Sequence, residues 1–222
     1  MNMLRYKLLL IVLLIVGCVF AKEKKKSIFE GVSISLGFNS SKIIGNLEDK
    51  IFIEGLEENA KLGFVYGWQK TLKNNWQVEI GVITRGAYYG SGKRMSVHKS
   101  SIQLNYIKFN LSKPYTLFKF QFPYQKSKSK INFPIKLEMA LFVDGESKYK
   151  KTTFNISNNE NISTSSKLNV SKFDFGFPIG FELEYGGKLS ICVDYYFGLI
   201  DIFDDVESKN HSLQFYLRYK LS

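Results

Sequence analysis

From Lys172 to Tyr185 the chain alternates with a period of two. Phe173, Phe175, Phe177, Ile179, Phe181, Leu183 and Tyr185 fall on one side, and Lys172, Asp174, Gly176, Pro178, Gly180, Glu182 and Glu184 on the other. Successive side chains of a β-strand point to opposite faces, so the segment reads as a strand with one aromatic face and one face of acids and small residues. Ordinary strands run to about 5–6 residues, whereas a tilted strand needs about 9–11 to cross a bilayer. This one is long enough. Lipid against the aromatic face and a narrow polar lumen against the other satisfies both faces at once.

Seven further segments repeat the pattern. Residues 31–39 set Val32, Ile34, Leu36 and Phe38 against Gly31, Ser33, Ser35 and Gly37, and residues 61–69 set Leu62, Phe64, Tyr66 and Trp68 against Lys61, Gly63, Gly67 and Gln69. Residues 76–88, 131–143, 188–200 and 210–221 behave alike. In residues 101–111 the apolar positions begin at Ile102, Leu104 and Tyr106 and change to Ile107, Phe109 and Leu111, which predicts a β-bulge. The fold class expected is all-β: an eight-stranded antiparallel up-and-down transmembrane β-barrel, with the even strand number of bacterial outer-membrane barrels.

The connections agree with that reading. A tight turn at Lys73-Asn74-Asn75 and another at Gly186-Gly187 alternate with longer loops, including 41–59 and 145–170. The second of these is rich in Asn, Ser, Thr and Lys and reads as a flexible surface loop. Short turns on one side and long loops on the other place both termini in the periplasm. Residues 112–130, with Pro114, Pro123 and Lys126, Lys128 and Lys130, are too long for such a turn, and read either as extended flanking strands or as a periplasmic flap.

Ahead of the strands, Arg5 and Lys7 lead into the uncharged stretch Leu8 to Phe20. That is the layout of a signal peptide over 1–21, too short for a spanning helix of about 20 residues. Two cleavage readings stand. Val19-Phe20-Ala21 favours a plain cut before Lys22, while Ile15-Val16-Gly17-Cys18 resembles a degenerate lipobox that would acylate Cys18. Plain cleavage leaves a basic periplasmic tail over 22–28 and a barrel domain over 29–222. Either way, no later stretch is apolar enough for a membrane helix, so spanning falls to strands.

The formal charge of +11 falls to +9 once Arg5 and Lys7 are removed. A basic balance can mean nucleic acid, but the lysines gather in connections, at 22–26, 126–130 and 148–151. In an exported chain the expected partners are outer-membrane lipids, with no nucleic acid. Cys192 is then the last cysteine, which excludes an internal disulfide. It alternates onto the polar face and reads as a small buried filler.

An eight-stranded barrel is just wide enough for its own side chains to fill it. The inward candidates are Glu79, Arg85, Lys136, Glu138, Glu182, Glu184, Asp194 and Arg218. Opposite charges in so narrow a space should pair rather than line a channel. Trp68, Trp76, Tyr66, Tyr185 and Tyr219, near strand ends, read as interfacial girdles.

Motifs of catalytic type fail on inspection. Asp174-Phe175-Gly176 lacks the rest of the kinase signature, and Gly90-Ser91-Gly92-Lys93 has Ala87 and Arg94 where a phosphate loop needs Gly and Ser or Thr. His98 and His211 could meet across the loop rim, and a lipid hydrolase would then need a serine beside one of them. Ser212 points to the opposite face from His211; Ser96, Ser100 and Ser101 remain. Ordinary rim polarity is the preferred reading, so the expectation is no enzyme, no catalytic residue, no cofactor and no metal. A secreted lipocalin-like binder is the alternative barrel, with its apolar residues inside; the rings from Phe173 to Tyr185 are too many for such an interior.

Leu104-Asn105-Tyr106-Ile107-Lys108-Phe109, the strand from Phe173-Asp174-Phe175-Gly176 to Gly180, Tyr196-Phe197-Gly198-Leu199-Ile200-Asp201-Ile202, and Lys209-Asn210 before the last strand resemble the PorT-like outer-membrane β-barrel proteins of Bacteroidetes, a porin-type family. The resemblance runs over about 29–221. Asn110 stands where the family often has proline, and the chain ends Tyr219-Lys220-Leu221-Ser222 rather than on an aromatic residue. The resemblance implies a structural or secretion-associated role, with secretion-machinery or surface partners meeting the loops 41–59 and 145–170.

Overall fold

The computed structural model describes residues 30–45, 57–93, 96–121, 128–154, 159–167, 170–203 and 207–221. The expected signal peptide over 1–21, the tail over 22–28 and Cys18 lie outside the described residues. Nine strands are present among the described residues: β1 (Val32–Gly45), β2 (Glu57–Thr71), β3 (Gln77–Lys93), β4 (Ser96–Phe120), β5 (Ser129–Phe154), β6 (Asn159–Lys167), β7 (Phe173–Tyr185), β8 (Leu189–Gly198) and β9 (Ser208–Lys220). Each of the eight expected segments falls inside one of them or overruns its ends by no more than two residues.

Eight of the strands close on themselves. Pairings run β4-β3-β2-β1-β9-β8-β7-β5, and β4 also pairs with β5, so the ring has no free edge. Every pairing is antiparallel, as short sequential connections require. Two tight connections show why their residues were chosen. Asn74 and Asn75 have φ of 59° and 62°, and Gly186 and Gly187 have φ of 62° and 74°. These left-handed conformations suit glycine and, among other residues, asparagine.

The aromatic face is outside and the charged face inside. Phe64 is 77% exposed and Leu62 73%, whereas Arg85 and Glu138 are fully buried. A lipocalin-like arrangement has the reverse order and is not the one seen. Trp68, Trp76, Tyr66, Tyr185 and Tyr219 all stand on the outer surface.

Two expectations are corrected, and a third segment, left open between two forms, takes one of them. First, β4 keeps one parity: Ile102, Leu104, Tyr106, Lys108, Asn110 and Ser112 all point inward and are buried. The bulge is in the partner strand. Asn105 pairs with Asp144 and Tyr106 with Phe142, which leaves Val143 of β5 as the extra residue. Apolar residues on β4 seemed to face lipid, yet they fill an apolar part of the lumen, and polarity alone does not tell the two environments apart. Second, 145–170 is largely strand rather than flexible loop. Beyond the bulge, β5 leaves β7 and pairs with β6 from Glu146–Lys167 to Phe154–Asn159. Third, 112–130 extends its flanking strands, with β4 and β5 paired from Ser112–Lys136 to Phe120–Ser129. Pairing of β4 with β3 ends at Ser112, so this hairpin projects past the neighbouring turn. Tyr115, Leu117 and Phe118 are exposed on it.

Candidate functional site in the lumen

Strand parity sends one residue in two into the barrel, and the inward residues fall into three layers. At the end bearing the tight turns, a polar cavity of about 200 Å³ is lined by Ser33, Gln69, Asn132, Glu182, Ser190 and Arg218 among others. Glu184, expected inside, sits at this mouth and pairs with Lys130 at 3.2 Å.

Above the cavity lies the first ionic layer. Arg218 Nη1 donates to Glu182 Oε1 at 3.0 Å, and Lys108 Nζ lies 2.6 Å from Glu79 Oε1. Lys136 pairs with Asp194 and also donates to the Tyr216 hydroxyl at 2.8 Å, which in turn donates to Asp194 Oδ2 at 2.6 Å. The Tyr216 ring is the hub, with Lys108, Lys136 and Arg218 at 5.7, 5.4 and 5.5 Å from its centroid. Cys192 is buried and pairs in register with Tyr216.

The second ionic layer is built on Arg85. Its guanidinium pairs with Glu138 and with Asp174, the latter at 2.8 Å, and lies 3.7 Å from the centroid of the Tyr196 ring. The Tyr196 hydroxyl donates to Asp174 Oδ1 at 2.8 Å, and Asn210 Nδ2 donates to Asp174 Oδ2 at 2.8 Å. Buried charges are tolerated only when matched and hydrogen-bonded. Here Arg85, Lys108, Lys136 and Arg218 face Glu79, Glu138, Asp174, Glu182 and Asp194, so each of the five buried carboxylates meets a cation among the described residues, Arg85 serving two of them, while Lys70 donates instead to the Glu30 carbonyl at 2.6 Å.

The third layer, toward the longer connections, is apolar. Ile43, Val65, Ile83, Ala87, Ile102, Leu104 and Tyr106 cluster with Ile202 and Phe203. The last two come from the β8–β9 connection, which is held by the Ile202 amide on the Ser208 carbonyl at 2.7 Å and the Phe203 amide on the Ser208 hydroxyl at 3.1 Å. The lumen is therefore not polar throughout, as its charged residues alone implied.

Glu79, Arg85, Lys136, Glu138, Glu182, Asp194 and Arg218 stand inside as expected. Lys108, Asp174, Tyr196 and Tyr216 were missed as members of the network. Parity could have found Lys108 between Ile107 and Phe109, and Asp174 in the Phe173 strand. The partner each one takes across the lumen depends on stagger between strands, which no local pattern carries.

The strand order sets the two histidines on opposite sides of the ring. His98 lies on β4 in register with Ser91 and Lys151, four strands from β9 by either route around the ring. His211 turns outward, 5.7 Å from the Phe197 ring and 6.0 Å from the Tyr195 ring, while Ser212 is buried on the opposite face.

The model of the family described as outer membrane protein beta-barrel domain matches residues 23–204. The chain belongs to that family. It is thus an outer-membrane β-barrel protein, and the aromatic outer wall is its lipid-facing surface. Among solved structures it is similar to Ail, the attachment invasion locus protein of Yersinia pestis, at 15% identity and a TM-score of 0.39, covering 86% of this chain and 98% of that one. It is also similar to Neisserial surface protein A, NspA, at 12% identity and a TM-score of 0.46, again over 86% and 98%. Both values lie far below the level at which function transfers. Comparison with curated proteins returned no match.

Proposed function

We propose that this is a non-enzymatic outer-membrane barrel that conducts no solutes and works through the structure it carries above the membrane. The observation behind this reading is the lumen: two layers of paired charges under an apolar one fill the interior among the described residues. With the interior occupied, function falls to the ends. The tight turns, the start of β1 and the end of β9 share one side, which by the usual outer-membrane pattern is periplasmic. The β5–β6 hairpin then faces outside, and the segments 41–59 and 145–170 are the proposed surface-interaction elements.

A photo-crosslinking residue placed in the β5–β6 hairpin on intact cells tests this reading. A discrete cross-linked partner, absent when the same residue is placed in the β7–β8 turn, supports it. No cross-link at either position, together with unaltered cells on deleting 146–167, overturns it.

A secretion-associated role is the second reading, drawn from the PorT-like resemblance. The β4–β5 hairpin favours it, because Tyr115, Leu117 and Phe118 are exposed beyond the β3 turn on the side assigned to the periplasm. Normal protein secretion in a deletion strain would remove it.

A further inference from the structure

Lys42 of β1 and His211 of β9 are direct register partners on the outer wall. Residues directly opposite in an antiparallel pair share a face. Here it is the face of Leu36, Phe38, Phe215 and Leu217, all exposed. The corresponding pair near the turn end is Ile34–Tyr219, with Tyr219 in the aromatic girdle. The eight residue steps from one pair to the other, at about 3.3 Å each and a tilt of about 40°, span about 20 Å along the barrel axis. An apolar band is about 25 Å tall. Lys42 and His211 therefore stand where acyl chains give way to headgroups.

The outward positions of β1, β8 and β9 carry no acid among the described residues. The carboxylate nearest in sequence, Glu207, is engaged by Lys209 at 3.4 Å. Lys42 is exposed. The His211 ring is held edge-on by Tyr195 and Phe197, and its Nδ1 lies 3.3 Å from the Tyr195 hydroxyl, so Nε2 is the nitrogen available to a ligand. An imidazole accepting at Nδ1 donates at Nε2. Below the two donors, Phe38 and Phe215 stack with centroids 5.7 Å apart and continue the apolar wall.

We infer that Lys42 and His211 form a binding site for the phosphate of an outer-leaflet saccharolipid, with its acyl chains lying over Phe38, Phe215 and Phe197. The ammonium supplies charge and the imidazole a directed donor to one phosphate, while the rings below accept the chains. The leaflet assigned rests on the reading that the longer connections face outside.

Native mass spectrometry of the detergent-purified protein, with diphosphoryl lipid A and with phosphatidylglycerol as probes, tests it. With the lysine charge and the imidazole donor each lost, K42Q/H211Q should bind lipid A about thirtyfold more weakly. Lys73→Gln, at the turn end, should bind as the parent does. Lys42→Gln alone, at an exposed position, separates loss of binding from loss of folding, which the mobility of the unheated protein in SDS reports. Unchanged lipid A binding in K42Q/H211Q, or an equal loss in Lys73→Gln, overturns the site. Preference for phosphatidylglycerol with the same sensitivity to Lys42 and His211 overturns the leaflet, and with it the orientation, while leaving the pair as a phosphate site.

Discussion

Arg85 of β3 reaches across the lumen to Asp174 of β7, with Nη1 2.8 Å from Oδ2, and the Tyr196 ring packs against the same guanidinium. Three strand steps separate the two residues around the wall. Removing one partner strands a buried charge, which costs about 3–5 kcal/mol. Arg85→Ala should lose about that much in urea unfolding followed by tryptophan fluorescence. In a cycle with Asp174→Ala the coupling should be about 0.5–3 kcal/mol. Additive losses would mean that the pair is not formed.

The lipid-facing wall makes a separate claim. Phe64 is 77% exposed and pairs in register with Phe38. Phe64→Arg should destabilise the barrel by about 2–4 kcal/mol in a bilayer, the cost of a cation near the midplane. A neutral result in lipid vesicles would return the soluble, inside-out barrel to contention.

Gly176 lies under the Tyr196 ring, so that a Cβ there would approach Tyr196 Cζ to 2.7 Å and also meet the Phe197 carbonyl. Backbone cannot yield as a flexible side chain can. Gly176→Val should cost about 1–3 kcal/mol through overpacking and displace Tyr196 from Arg85. The readout is the fraction of protein that keeps its compact, fast-migrating form in SDS before heating. Full retention would show that the lumen has slack at this level.

Planar bilayers containing the purified protein should show no steady conductance steps, because the apolar layer around Ile102, Leu104 and Phe203 stands above the ionic layers. Arg85→Ala should remain silent for the same reason. Porin-like steps from the parent protein would refute a closed lumen.

Orientation is checked on living cells. An epitope inserted after Phe154, between β5 and β6, should bind antibody on intact cells. One inserted after Gln121, in the β4–β5 hairpin, should bind only after the outer membrane is opened. The reverse pattern would invert every assignment of the two ends.

Alternation by itself determined the strands. The period of two survives any tertiary context, because successive side chains must take opposite faces, so the barrel class, the outer wall from Phe173 to Tyr185 and most of the inward charges were legible residue by residue. Turn chemistry at Asn74-Asn75 and Gly186-Gly187 set the tight end in the same local way. Only the tertiary structure decided which wall position meets which across the lumen, since that depends on strand tilt and stagger: Arg85 to Asp174, Lys136 to Asp194, and Tyr216 among three cations. It also decided that Ile102, Leu104 and Tyr106 face inward and that the bulge belongs to Val143. An apolar side chain is equally satisfied by lipid or by an apolar interior. The closed ring selects between them.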